Sequence, residues 1–386
     1  MSKKYAGILL TAVVLLCAFG TARAAEPIRI GYLAALTGDA AVWGQAEFGG
    51  ARLLVKSVNE KGGLLGGRPV ELICYDTKGK AEDAVNAVRR LIFEDKVVAV
   101  GGSNFSSIQL AIASIMDQNK VPAVASAATN PAVTVDPDTG KVRPYMFRIA
   151  FIDPYQGKVI ADYLTGKCGA KKIAIFGDVG SAYSEGLTEF IQKRADELNV
   201  EHRFWGFREG DVDFRAQITE AKNWGADAVA LTSLYKEMGL IIKQSCDFGW
   251  KPFFMGGDGV SPNIFEIAGD NNMEGSFWVQ AMSFTAPEVI ALDELHEKEF
   301  GAKSTEPTNL TAAYDIMMFI TDAIARAGKA ESTAIRDAME ETKNLKVTHF
   351  TWTVDKETHN PLNKPAAILR ATDGTLTFVE YWAPQN

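Results

Sequence analysis

From Ile28 to Trp382 the chain alternates short β-branched or aliphatic runs with longer stretches whose apolar residues recur every three or four positions. That alternation predicts parallel sheets with crossover helices, an α/β fold. The predicted strands fall into two sets: Ile28–Ala34, Pro69–Tyr75, Val97–Gly101 and Val121–Ala125, then Lys172–Phe176, His202–Phe207, Ala226–Leu231 and Pro252–Met255. Between them Phe48, Ala51, Val55 and Val58 share a helical face, as do Ala84, Val88 and Leu91, and later Leu187, Ile191 and Leu198. Gly62-Gly63 and Gly66-Gly67 close the first helix and turn the chain into the second strand. After Gly275 come a strand at Ser276–Gln280, helices near Pro287–Phe300 and Leu310–Arg326, and β-like runs at Val347–Val354, Ala366–Arg370 and Leu376–Trp382. Two similar α/β halves with a mixed tail predict two lobes joined by more than one crossing of the chain.

The first residues follow a different pattern. Lys3 and Lys4 precede an apolar run from Ile8 to Phe19, and Ala22-Arg23-Ala24 has the small-x-small form of a cleavage site, so residues 1–24 are predicted to be an export signal removed before Ala25. The run is too short to span a bilayer, and no later segment reaches roughly 18 apolar residues, so membrane insertion is not expected. Cys17 follows Leu15 and Leu16 instead of the small residue a lipid anchor wants, and is assigned to the leader.

Length changes the picture next, because the remainder suffices for two domains. The leader carries three basic and no acidic residues, so the net charge of −8 becomes −11 without it. An acidic surface argues against a nucleic-acid partner. Cys74 lies in an apolar run and reads as core. Cys168 and Cys246 are left as a conceivable bridge in an oxidising compartment.

Catalytic constellations are missing. His202, His296, His349 and His359 show no metal-ligand spacing and read as surface residues, and there is no HExxH, paired CxxC, phosphate loop or GxGxxG after a strand. Ala182-Tyr183-Ser184-Glu185-Gly186 lacks the first glycine of a nucleophile elbow. Neither a metal nor a cofactor is predicted.

The chemistry that is present sits where strands end, the place where open α/β sheets bind ligands. Gly101-Gly102-Ser103-Asn104-Phe105-Ser106-Ser107 opens a helix marked by Ile108, Ile112 and Ile115, and Ala125-Ser126-Ala127-Ala128-Thr129-Asn130-Pro131 closes the next strand. Amides and hydroxyls at such a helix start suit a carboxylate, while plain capping by Ser106 and Thr129 is the competing reading. In the second half Gly177–Tyr183 and Met255–Val260 occupy the matching strand ends. There Asp258 is either a cation holder between two glycines or the cap of a helix starting near Ser261.

These motifs carry a resemblance. Leu36-Thr37-Gly38, Trp43-Gly44, Glu47-Phe48-x-Gly50-Ala51, Ala128-Thr129-Asn130-Pro131, Tyr183-x-Glu185-Gly186-Leu187, Asp213-Phe214, Tyr235-x-Glu237-Met238-Gly239 and Met255-Gly256-x-Asp258-Gly259-Val260 stand in order along the chain. In them the chain resembles the type I periplasmic solute-binding proteins, specifically the leucine/isoleucine/valine-binding proteins of ABC importers. The resemblance implies two lobes, each a mostly parallel sheet flanked by helices, with three hinge crossings near Ile152, Gln280 and Asp355. Lobe one would be 25–152 plus 281–355, and lobe two 153–280 plus 356–386.

It also implies roles. Ser106 or Ser107, with Thr129, would hold the α-carboxylate of an amino acid, and Asp258, with the Ala128 carbonyl, its α-ammonium from across the cleft. Trp43 and Tyr183 would wall the site, which closes because each lobe holds one end of the ligand. The chain departs from the family in four places, one being the absent disulfide of the first lobe, with Gly79 and Asn104 near those positions. Asp258 stands where relatives often carry glutamate, Phe105 interrupts a serine run, and Leu234 replaces a pocket tyrosine. The expectation is therefore a non-enzymatic, monomeric periplasmic receptor for a branched-chain or other small, apolar L-amino acid, docking on an inner-membrane ABC permease. The alternatives are an amide, urea-like or aromatic-carboxylate ligand in the same fold and, from another class, a secreted hydrolase.

Overall fold

The computed structural model describes residues 26–362 and 364–382; the predicted leader lies outside them. In chain order the elements are β1 Ile28–Ala34, α1 Ala41–Glu60, β2 Val70–Asp76, α2 Ala81–Phe93, β3 Ala99–Gly102, α3 Ser106–Asn119, β4 Ala123–Ala125 and β5 Met146–Arg148. There follow α4 Asp153–Gly166, β6 Lys172–Asp178, α5 Ala182–Glu197, β7 Glu201–Phe207, α6 Arg215–Trp224, β8 Ala228–Leu231, α7 Tyr235–Asp247 and β9 Phe253–Gly256. The chain ends with α8 Ile264–Ala268, α9 Asp270–Met273, β10 Phe277–Gln280, α10 Pro287–Phe300, α11 Pro307–Ala327, α12 Ser332–Glu340, a short hairpin β11 Leu345–Lys346 and β12 Thr351–Trp352, β13 Ala366–Thr372 and β14 Thr375–Trp382.

One sheet is wholly parallel, ordered β2-β1-β3-β4-β5. The other is ordered β14-β13-β10-β9-β8-β6-β7, parallel from β7 to β10 with β13 and β14 antiparallel at one edge. From β6 to β10 it repeats the winding of the first sheet, so each has its switch point beside its first strand, where the loops after neighbouring strands diverge and leave a crevice. The α/β reading therefore holds.

The three helices after β10 pack back onto the first sheet's side. α11 runs along α1 and against β3, α10 touches both helices and α12 lies on α11. Ile316, Phe319 and Ile320 of α11 join Ile28, Ile30 and Tyr32 of β1 in one core, with Trp352 from the hairpin. A second core under the larger sheet gathers Phe176, Leu231, Met238 and Trp278. Pro287 and Pro307 start α10 and α11, where a missing N–H costs nothing, and Gly301 and Gly328 end them in the left-handed conformation.

Six elements have no place in the sequence reading: β5, α4, α6, α7, α9 and α12. The predicted Val347–Val354 strand is only one arm of the hairpin plus turn. Two histidines read as surface residues are buried. His359 stacks on Phe147 at 4.1 Å with Nδ1 3.0 Å from the Met146 carbonyl, and His349 Nδ1 lies 2.7 Å from Asp315 Oδ2. Cys74, Cys168 and Cys246 are unpaired, so the conceivable bridge is not formed.

Candidate functional site

Both switch points open onto the same cleft. From the first sheet's side it is lined by Trp43 on α1, by Asn104, Phe105, Ser106 and Ser107 after β3, by Ser126 and Ala127 after β4, and by Thr308, Asn309 and Ala312 on α11. From the other side come Ser181 and Tyr183, Leu234, Asp258 and Gly259, with Ala150, the Gln280–Met282 stretch and Lys364 between the sheets.

The two sides are in contact around this space. Trp43 sits edge-on to Tyr235 at 5.3 Å and to Phe105 at 6.2 Å. Asn130 Nδ2 donates to the Ala182 carbonyl at 2.8 Å, Lys236 pairs with Asp39 at 2.5 Å, and buried Ser261 donates to Glu306. These contacts between the two sides make this a closed form.

Asp258 is the most elaborately held residue of the site. Its N–H donates to Gln156 Oε1 at 2.7 Å, Gln156 Nε2 donates to Asp258 Oδ1 at 3.2 Å, and Gln280 Nε2 donates to the Asp258 carbonyl at 3.2 Å. Gly259 N–H donates to the Tyr183 hydroxyl at 3.2 Å. Gly257 makes this clamp fit, because a Cβ there would lie 2.5 Å from both Gln156 Oε1 and the Tyr183 hydroxyl. Burial pushes the Asp258 carboxyl up to about 6, against the pull of Gln156, Tyr183 and, more weakly, Lys364. A group near 6 is mostly ionised at neutral pH and gains from a cation brought to it. The helix near Ser261 begins only at Ile264, with Asn263 before it, so Asp258 caps nothing there.

Behind it, Asp153 is driven to about 8 by burial and by Asp258, although Thr129 and Arg148 pull it down. It is neutral at pH 7, which leaves Asp258 as the charged carboxylate of the lining. Glu47 is likewise pushed to about 8 by burial, and Ser126 donates its hydroxyl to it.

Ser106 and Ser107, Phe105, Trp43, Tyr183, Leu234 and Asp258 all meet at the cleft. Neither serine caps a helix: Phe105 precedes α3 without a side-chain bond, and Ser106 Oγ accepts from Asn130 N at 3.3 Å. Ala128 is buried outside the lining, its carbonyl accepting from Arg148 Nη1 at 2.7 Å, while its neighbour Ala127 lines the cleft. Thr129 caps nothing and is not in the lining, and its buried hydroxyl lies beside Asp153 without hydrogen-bond geometry. Asn104, Gln280, Asn309 and Lys364 are lining residues that the sequence did not single out. No group of three or more potential metal ligands is found among the described residues.

Two sheets closing on a small cleft with a few polar groups define a solute-binding receptor of the type I periplasmic kind. The chain belongs to the periplasmic binding protein family, which matches residues 27–375. It is 28% identical to Leu/Ile/Val-binding protein homolog 3 of Brucella melitensis over 96% of this chain and 99% of that one. An amino acid binding protein of Pseudomonas aeruginosa is 31% identical over 81% and 82%. Among solved structures, the leucine binding protein LivK of Thermotoga maritima superposes with a TM-score of 0.83 at 30% identity, covering 92% of this chain and 99% of that one. The branched-chain amino acid transporter substrate binding protein LivJ of Streptococcus pneumoniae, in complex with isoleucine, gives 0.83 at 26% identity, covering 93% and 100%.

Proposed function

We propose that this chain is the periplasmic receptor of an ABC importer and captures a small L-amino acid, of branched-chain size, between two closing lobes. It is exported by residues 1–24, cleaved after Ala24, and works as a monomer that hands its ligand to an inner-membrane permease without altering it. The lobes are 25–152 plus 281–355 and 153–280 plus 356–386. Among the described residues no helix is long and apolar enough to cross a membrane.

The observation that carries this reading is a separation of charge across the cleft. Neutral hydroxyls and amides at the start of α3 face a buried, clamped carboxylate, and only the closed form brings both within reach of one small molecule. A zwitterionic α-amino acid supplies the two matching ends. The amino-acid and branched-chain names of the relatives support the same ligand class and size.

A thermal-shift screen of protein refolded free of ligand tests it. Binding to the folded state must raise the melting temperature by mass action. A shift with a subset of the L-amino acids is expected; a shift only with amides or aromatic acids would replace this reading.

A further inference from the structure

Lys364 is a basic side chain in the cleft that amino-acid backbone recognition does not use; burial lowers it to about 7, against the pull of Asp315 and Asp258. It lies in the irregular segment between the Val354–Pro361 bridge and β13, is 3% exposed and lines the cleft with Asp258, Gln280 and Asn309. Its ammonium donates to the Ile149 carbonyl at 2.7 Å and stands over the Phe350 ring at 4.6 Å. An ammonium has three donors, so two remain after the Ile149 bond.

The carboxylates that act on it are Asp315 of α11 and Asp258. Asp315 is already engaged, accepting from Thr348 N at 2.8 Å and lying 2.7 Å from His349 Nδ1. Asp258 and Lys364 therefore offset one another. A ligand ammonium that takes Asp258 withdraws that counter-charge and leaves a buried lysine with one carbonyl. Buried charges with unfilled donors are costly, so a ligand that restores an acceptor is favoured over one that does not.

We propose that Lys364 is a specificity-determining residue whose free donors take a side-chain oxygen of the ligand, a carboxylate or carboxamide. This rests on the amino-acid reading and goes beyond it: size matches the branched-chain acids, while polarity selects small acidic or amide amino acids over apolar ones of equal bulk.

Calorimetry on the refolded protein compares isosteres, aspartate and asparagine against leucine, and glutamate and glutamine against homoleucine. At least one polar member is expected to bind tenfold or more tightly than its apolar isostere. Lys364→Met should erase that gap while leaving the apolar affinity within about threefold, and Lys364→Arg should keep part of it. Leucine or homoleucine binding as tightly as every polar isostere would overturn the inference and leave the amino-acid reading intact. A lysine that merely pins the crossing would give a Lys364→Met protein weakened toward all ligands alike, with the polar preference unchanged, and this too would overturn it. The wild-type comparison needs no variant, so a Lys364→Met chain that fails to fold does not remove the test. Binding of no amino acid at all would sink both readings.

Discussion

The five-stranded side meets the cleft with neutral hydroxyls, Ser106 and Ser107 on α3 and Ser126 after β4, whereas the seven-stranded side meets it with Asp258, clamped by Gln156 and Tyr183. Hydroxyls and amides at a helix start serve an anion without titrating near neutrality. A buried carboxylate serves a cation but titrates, and burial has moved it to about 6. One lobe therefore sets a contact that is insensitive to pH, and the other sets a contact that pH can remove. The difference teaches where to perturb: each lobe should fail in its own way.

The largest effect is expected from the element that locks the two sides together. Trp43 is 4% exposed and wedged between Phe105 and Tyr235. Trp43→Ala forfeits about 3 kcal/mol of packing, more than a hundredfold in affinity, as a titration of the refolded variant would read. Next comes pH. Below about 6 the ligand ammonium must displace a proton from Asp258, so affinity should fall by up to tenfold per unit on going down in pH and level off above it. The sign follows from the free site: binding favours the ionised carboxyl and lowers its pKa, so protons are released on binding only where Asp258 starts protonated. A flat profile from pH 5 to 8 would place the ammonium elsewhere.

The hydroxyl lobe should give smaller, pH-independent losses. Ser106→Ala and Ser107→Ala are each expected to cost about 1 kcal/mol of binding, roughly fivefold. Only Ser106→Ala should also lower the melting temperature of the empty protein, because it strips the acceptor from Asn130 N. Smallest is the rim pair Lys236–Asp39, whose partners are substantially exposed. Lys236→Met should change affinity by about twofold at low salt and not at all at high salt.

How much of this was legible in the sequence depended on periodicity. β1 and α10 have the predicted limits, because a buried strand and a Pro-to-Gly helix announce both ends. β5 is only three residues long and α12 follows a polar turn, so neither gave a strong pattern before packing supplied one. Phe105, Ser106, Ser107, Tyr183 and Asp258 lie in segments that follow strand ends, where topology dictates the crevice, while Trp43 and Leu234 were placed at the site by the family resemblance. β4 ends at Ala125, after which no alternation fixes which alanine lines the cleft; Ala127 does, with Ala128 buried beside it. Lys364 had no local signal at all, since an irregular crossing carries it and only the closed fold brings it beside Asp258.

The central claim is that Asp258 holds the ligand's ammonium across the closed cleft. Calorimetry with the amino acid bound most tightly and with its des-amino analogue, on wild type and Asp258→Asn, tests it most directly. Wild type should prefer the amino acid by at least tenfold, and Asp258→Asn should lose that preference, about 1.4 kcal/mol or more, while binding the des-amino acid as before. An Asp258→Asn protein that kept the full preference would contradict the account.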